Sequence, residues 1–290
     1  MNKYDVIIIG AGPAGISASL YAKRANFKVL VLYYGKSELE KAHKIENYYG
    51  FENGISGEKL YFEGIKQAKK IGVDVLEKEI IDIKINENLM FEARTTNETF
   101  EGKTIILATG NKRVRPNIMG IEDFEGKGVS YCAICDAFFY RGKKVVVIGN
   151  GNFAINEADE LSNIVKEVKI LTNGESKPNT SKYVIDERKI KQIHGERKVQ
   201  SIEFDDGQVF EIDGIFIAQG IAGGSNFAKK LGVISNKDDI VVNENMETNI
   251  KGIFACGNLT GGLLQVNKAV YEGAKAGIAA TNYIRNLSKR

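Results

Sequence analysis

The sequence lacks most of what would assign its class at a glance. Three prolines in 290 residues leave no material for proline-rich linkers or disordered tethers. No apolar run approaches the ~20 residues that cross a bilayer. Runs such as Val6–Ile9 and Val145–Ile148 have the length of strands. Three cysteines are too few for a disulfide framework. A single Cys-x-x-Cys, with His43 and His194 both far from it, is a poor start for a zinc site. Neither histidine has a nucleophile at triad-like spacing, so both read as ordinary surface or loop residues. The formal net charge is a mild +3. Basic clusters at Arg141–Lys144 and Arg188–Lys191 carry no interleaved aromatic register, and no nucleic-acid-binding motif is present. They read as solvated faces or, as a weaker alternative, as a docking surface for an acidic protein. Met1–Asp5 leads directly into a strand with no room for a signal peptide, which makes a cytoplasmic location the expectation.

What the chain does have is glycine, 31 residues of it, within an ordinary balance of 43% hydrophobic and 27% charged residues. That is the composition of a soluble α/β chain with many tight turns, long enough for two nucleotide-sized domains. Tyr4–Ile9 is near-continuously apolar, as a central parallel strand should be. Gly10-Ala11-Gly12-Pro13-Ala14-Gly15 forms a turn, a helix follows to about Asn26, and Lys28–Leu32 is the next strand. A second such unit runs from Lys144–Ile148 through Gly149-Asn150-Gly151-Asn152-Phe153-Ala154 and a helix to Val168–Leu171. The expected fold class is therefore α/β, with two Rossmann-like dinucleotide-binding domains. Thr104–Gly110 and Gly252–Asn258 share a strand-to-glycine shape, and the final helix, from about Gln265 to Asn286, is rich in alanine and glycine. The first domain thus reads as discontinuous, 1–113 with 248–290, and the second, 117–245, as inserted into it. The crossovers fall at Val114–Asn117 and Asn245–Thr248.

In Gly10-x-Gly12-x-x-Gly15 the first glycine permits the sharp turn, the second lets backbone approach a pyrophosphate, and the third lets helix pack on strand. Its position after a buried strand and before a helix sets it apart from an ordinary tight turn and suits FAD. The acid expected about 20 residues later for a ribose hydroxyl is absent, since Tyr33 and Tyr34 occupy the strand end. Cys132 and Cys135 have the spacing of a small reducible disulfide. Asp136, directly after them, is a candidate to donate and accept protons. Two structural cysteines or half a metal site are the plainer readings, but Cys-x-x-Cys in an α/β chain favours redox chemistry. Cys256 is single and lies on a strand, so it reads as a small buried hydrophobe. Gly149-x-Gly151-x-x-Ala154 keeps the small residues of a dinucleotide fingerprint, although Phe153 stands where it would crowd a pyrophosphate. No arginine occurs between Arg141 and Arg188, and Glu175 lies past the tip of the following strand. Neither an NADP nor an NAD signature is therefore complete, and a relic of a nucleotide fold and a working nicotinamide site both stand open.

Taken together, these motifs resemble the low-molecular-weight thioredoxin reductase family. The likeness runs through Gly10–Gly15, Ala108-Thr109-Gly110, Cys132-Ala133-Ile134-Cys135-Asp136, Gly257-Asn258 and Gln265. The resemblance implies a homodimeric flavoprotein. FAD would lie on the discontinuous domain, against Gly10, Gly12, Pro13, Ala14, Gly15, Asn47, Thr109, Gly110, Gly257, Asn258, Gln265 and Val266. It implies further that Cys135 exchanges electrons with the flavin, Cys132 attacks the disulfide of thioredoxin, and Asp136 manages protons.

The sequence also departs from that family. The usual glycine-aspartate is Gly257-Asn258, the arginine before the glutamine is Leu264, and the basic histidine-arginine motif that holds NADPH is missing. These losses concentrate on the nicotinamide side and look like the ferredoxin-dependent flavin thioredoxin reductases. A plant-type ferredoxin at about −400 mV and thioredoxin at about −270 mV differ by roughly 130 mV, or about 6 kcal/mol for two electrons. Ferredoxin is the expected donor. A conventional NAD(P)H-dependent reductase with an atypical nicotinamide site is the alternative, and a non-catalytic flavin-bound redox sensor is the alternative of another class.

Overall fold

The computed structural model describes residues 2–110, 116–236 and 239–287. The chain forms two units, Met1–Lys112 with Gly223–Arg290, and Arg113–Ala222. The expected crossover at Val114–Asn117 lies partly outside the described residues.

The first unit opens with β1 (Asn2–Ile9), whose Val6–Ile9 are buried on both faces as a central parallel strand requires. Helix α1 (Pro13–Arg24) starts on Pro13, whose fixed φ suits the first helical turn, and carries Lys23 and Arg24 at its carboxyl end. Asn26, at φ +69°, ends the run into β2 (Val29–Tyr33). Helix α2 (Gly57–Lys70) is capped by Ser56, which accepts the Lys59 N–H at 3.2 Å. Next come β3 (Asp74–Glu77), β4 (Asp82–Ile85), β5 (Phe91–Arg94) and β6 (Thr99–Leu107).

The second unit begins with β7 (Val129–Ser130) and the single-turn helix α3 (Ala133–Asp136). It continues through β8 (Lys144–Ile148), α4 (Asn152–Ser162), β9 (Glu167–Leu171) and β10 (Ile185–Asp186). An antiparallel sheet of β11 (Ile190–Gly195), β12 (Val199–Phe204) and β13 (Val209–Glu211) follows, then β14 (Gly214–Ile217). The parallel sheet of this unit has the order β10-β9-β8-β14-β7. Its core is aliphatic and aromatic, including Val146, Ile148, Ile202, Phe204 and Ile215.

The chain then returns to the first unit with α5 (Gly224–Lys230), the short pair β15 (Ser235–Asn236) and β16 (Asp239–Ile240), β17 (Ile253–Ala255) and α6 (Val266–Leu287). Its sheet has the order β3-β2-β1-β6-β5-β4, with β17 parallel on β6. The fold class is the expected one, an α/β chain with two Rossmann-like units. The return differs: residues 223–245, expected in the second domain, pack with the first. The cause lies in polar contacts that sequence spacing does not show. The Gly224 N–H donates to Thr109 Oγ1 at 2.8 Å, and buried Lys230 lies 3.6 Å from buried Asp82 on β4.

Helices α1 and α6 cross at backbone contact. A Cβ added at Gly273 would stand 2.1 Å from the Ala14 carbonyl oxygen, and one at Gly277 would stand 2.4 Å from that of Ala18. Ser17 Oγ closes the crossing with a 2.7 Å hydrogen bond to the Val270 carbonyl. Because backbone is met on the far side, no rotamer change can absorb a methyl group. Gly277→Ala is expected to lower stability by about 1–3 kcal/mol, read as a reduced urea midpoint with an unchanged slope.

Candidate active site

Three parallel strands of the first unit end level with one another. Ile9, Leu107 and Ala255 are register partners across β1, β6 and β17, and each strand runs straight into a glycine-bearing turn. The crevice outside such carboxyl ends is where open α/β sheets bind ligands. Gly10 follows β1 at φ +115°, and a Cβ on it would lie 2.3 Å from the Ala108 oxygen. A Cβ on Gly15 would lie 1.9 Å from the Gly10 oxygen. Gly12, the residue that caps α1, has nothing within 4 Å of its Cβ position, and neither has Gly110. The turn is thus closed where strand meets helix and open where a phosphate would approach the helix N-terminus. Pro13 and Ala14 form the first helical turn, and Ala14 also lies 2.9 Å from a Cβ built on Gly257.

Asn47 and Gln265, 218 residues apart in sequence, meet through a 3.0 Å hydrogen bond from Asn47 Nδ2 to Gln265 Oε1. Asn267 Nδ2 adds a bond to the Asn47 carbonyl at 3.2 Å. An open cleft of about 650 Å³ lies here, lined by Asn47, Tyr48, Tyr49, Phe51 and Asn267. Val266 begins α6, and Asn258 sits in a short 3₁₀ turn, Gly257–Thr260. The structure therefore brings the sequence-expected cofactor residues onto the first unit, around one set of strand ends and the neighbouring loop.

Sequence reading missed the polar cluster beneath them. Glu272 Oε2 accepts from the Gly257 N–H at 2.9 Å and from Thr260 Oγ1 at 2.8 Å, and Lys268 Nζ lies 3.0 Å away. Lys268 also donates to the Gly257 carbonyl at 2.9 Å. The Lys268–Glu272 spacing of one helical turn was a usable signal. Its attachment to Gly257 was not, because it depends on where β17 lies. Cys256 is buried, and burial, with the Glu272 charge second, pushes its thiol far up. It is a structural thiol, as its sequence context implied.

In the second unit Cys132 and Cys135 form a disulfide. Cys132 precedes α3 and is buried, at 4% exposure, whereas Cys135 is exposed. Ser130 Oγ accepts the Cys132 N–H at 3.1 Å and donates to Asp136 Oδ2 at 2.6 Å, so one hydroxyl links the dithiol backbone to the neighbouring acid. Ile134, Phe138 and Phe139 are exposed, the two phenylalanines at 69% and 68%. Arg141 lies over the Phe138 ring at 5.3 Å. Exposed apolar side chains gathered in this way mark interaction surfaces in general.

The second glycine turn keeps its shape. A Cβ on Gly149 would stand 2.2 Å from the Ala218 oxygen, whereas one on Gly151 would meet only the Gly220 oxygen, at 3.6 Å. Phe153 does not crowd this turn as the sequence suggested. It is 3% exposed, on the buried side of α4 with Ala154 and Ala158. Gln219 Oε1, just past β14, is buried without a hydrogen-bond partner among the described residues. At the tip of β9, Thr172 and Gly174 are bonded through their N–H groups to the carbonyls of Asp186 and Glu187. Strand β10 thereby carries Arg188 to the tip, although Arg188 is distant in sequence. Its guanidinium is engaged, with Nη2 2.6 Å from Asp186 Oδ2, and Nη1 2.9 Å from Gln208 Oε1 and 3.3 Å from Asp206 Oδ2. The hydrogen bonds of Asp186 hold this cation firmly protonated, and the side-chain hydrogen bonds from Arg188 hold the Asp186 carboxyl down. His194 pairs with Glu203 at 2.8 Å, a surface role. Among the described residues no group of His, Cys, Asp and Glu could hold a metal ion, and no helix is long and apolar enough to cross a membrane.

Comparison with known proteins agrees with this geometry. The model of the pyridine nucleotide-disulphide oxidoreductase family matches residues 4–273. The thioredoxin reductase of Aquifex aeolicus is 34% identical, across 99% of this chain and 95% of the relative. Among solved structures, the atypical thioredoxin reductase TRi from Desulfovibrio vulgaris Hildenborough superposes with a TM-score of 0.92 at 40% identity, covering 97% of this chain and 98% of that one. A ferredoxin-flavin thioredoxin reductase from Clostridium acetobutylicum gives a TM-score of 0.71 at 32% identity, with both chains fully covered. The chain belongs to the pyridine nucleotide-disulphide oxidoreductase family, as a thioredoxin reductase-like flavin disulfide oxidoreductase.

Proposed function

We propose that this protein reduces thioredoxin through Cys132 and Cys135, drawing its electrons from reduced ferredoxin by way of FAD. The observation that carries the choice of donor is the state of Arg188. Among the described residues it is an arginine that strand pairing brings to the tip of β9, where an NADP 2′-phosphate would need a free guanidinium, and it is already shared between Asp186, Asp206 and Gln208. A phosphate there would have to displace two carboxylates. The likeness to a ferredoxin-flavin thioredoxin reductase supports the same reading.

FAD fits the first unit because Gly12 and Gly110 leave open backbone at the strand ends. Gly10, Gly12, Pro13, Ala14 and Gly15 would hold its pyrophosphate, with Thr109, Gly110, Asn47, Gly257, Asn258, Gln265 and Val266 about the rest. The chemistry supplied by bound FAD is the conversion of single electrons into a pair. The Cys132–Cys135 disulfide takes up that pair with two protons and opens to two thiols. Asp136, held by Ser130, is placed to carry a proton for this step. As a thiolate, Cys132 attacks the thioredoxin disulfide and forms a mixed disulfide. Cys135 then attacks the Cys132 sulfur, closes the internal disulfide and releases dithiol thioredoxin. Cys132 must be uncovered for its attack, since Cys135 is the residue solvent reaches in the described state. The exposed Phe138 and Phe139 beside it offer thioredoxin an apolar contact.

A second reading, direct reduction by NAD(P)H, is favoured by the intact opening at Gly151 and by the buried, unpartnered Gln219 Oε1 nearby. Anaerobic flavin absorbance separates the two. With oxidised thioredoxin present, reduced ferredoxin is expected to bleach the flavin and sustain turnover while NADPH and NADH do neither. Rapid bleaching by either nucleotide refutes the ferredoxin reading. Because Gly12 faces open space, Gly12→Val is expected to fold yet lose flavin affinity by about tenfold or more, the effect of roughly 1.4 kcal/mol of steric clash, measured as flavin per protein after gel filtration. Cys135→Ser is expected to capture, through Cys132, a thioredoxin whose buried cysteine is serine and whose exposed cysteine carries thionitrobenzoate. Cys132→Ser should capture none, and the reverse pattern would exchange the two roles.

A further inference from the structure

Glu157 takes no part in the chemistry above, yet it reaches the dithiol. It lies on α4, is 1% exposed, and its Oε2 accepts the Ala133 N–H at 2.7 Å across 24 residues of sequence. Ala133 directly follows Cys132 and opens α3. The preceding N–H, that of Cys132, is taken by Ser130 Oγ at 3.1 Å. Two successive backbone donors at the entrance to the Cys132–Cys135 turn are thus held by buried side chains, one of them a carboxylate from another element. A buried side-chain oxygen that reaches this amide from another element holds it more firmly than the loop's own turn geometry would.

From this we infer that Glu157 is a positioning residue for the redox pair, fixing Cys132 relative to Cys135 once the S–S bond has opened. The inference rests on the reading of Cys132–Cys135 as the working disulfide, not on the identity of the electron donor. When the disulfide is closed, the covalent bond itself confines the segment. When it is open, the confinement must come from elsewhere, and the Ala133 anchor supplies it. The quantity that reports such confinement is the effective concentration of one thiol at the other. A well-anchored pair closes readily, so its disulfide has a low potential and the dithiol is a strong reductant. Loss of the anchor also leaves the buried Ala133 N–H without its acceptor.

The experiment is equilibration of the flavin-loaded protein with dithiothreitol over a range of thiol-to-disulfide ratios, at one pH, with the free thiols counted by acid quench and maleimide labelling. No ferredoxin, nucleotide or thioredoxin is needed. Glu157→Ala is expected to lower the effective concentration about tenfold, equivalent to a rise of about 30 mV for this two-electron couple. Glu157→Met, which keeps the side-chain volume and loses the acceptor, should shift it equally and stands in should the alanine variant not fold. Glu157→Gln retains an acceptor oxygen and should stay within about twofold of the unaltered protein, since a twofold change is well under the 1.4 kcal/mol of a tenfold one. An unchanged equilibrium in the alanine or methionine variant overturns the proposal, as does a glutamine variant that shifts as far as they do. Failure of the unaltered protein to cycle between disulfide and dithiol would instead refute the redox reading of Cys132 and Cys135.

Discussion

The level ending of β1, β6 and β17 is the constraint on which the first unit depends. Parallel strands in register deliver their following turns to one line, so Gly10, Thr109 and Gly257 stand together although they are far apart in the chain. The close approaches at that line leave no room for side chains at Gly10 and Gly15 and leave Gly12 open. Both conditions follow from backbone packing, and together they leave an open shelf of backbone at the N-terminus of α1. The Glu272 cluster stiffens the shelf from below by tying Gly257 to the last helix.

Local features were legible in the sequence to the extent that one segment determined them. The buried strand Tyr4–Ile9, the turn Gly10–Gly15 and the pair Cys132 and Cys135 each declare themselves within a dozen residues. What was not legible is what tertiary register decides. Phe153 looked obstructive because a side chain's direction on a helix depends on which face the sheet covers, and that face proved to be its own. Arg188 looked too remote for the tip of β9 until β10 pairs beside it. Residues 223–230 looked like part of the second domain until Lys230 and Asp82 are seen buried together. Glu157 gave no signal at all, since an acid on a helix normally faces water.

The dithiol illustrates how much of redox behaviour is set outside the two cysteines. Ser130 and Glu157 hold consecutive amides, Asp136 shares the serine hydroxyl, and the aromatic pair Phe138 and Phe139 stands uncovered next to them. A backbone anchor, an acid and two exposed aromatic rings thus stand within one short stretch, with the anchor supplied by a helix of the same unit.

The contact between α1 and α6 has a consequence for synthesis on the ribosome. Helix α1 emerges early, but the surface it needs is made of residues 266–287, and β6 receives its neighbour β17 hardly sooner. Residues 113–222 form a contiguous unit that is complete while those partners are still to be translated. The growing chain therefore carries the bare α1 face, and the unpaired edge of β6 at Ile105–Leu107, until the C-terminal segment is made, and these are the kinds of surface that nascent-chain chaperones cover.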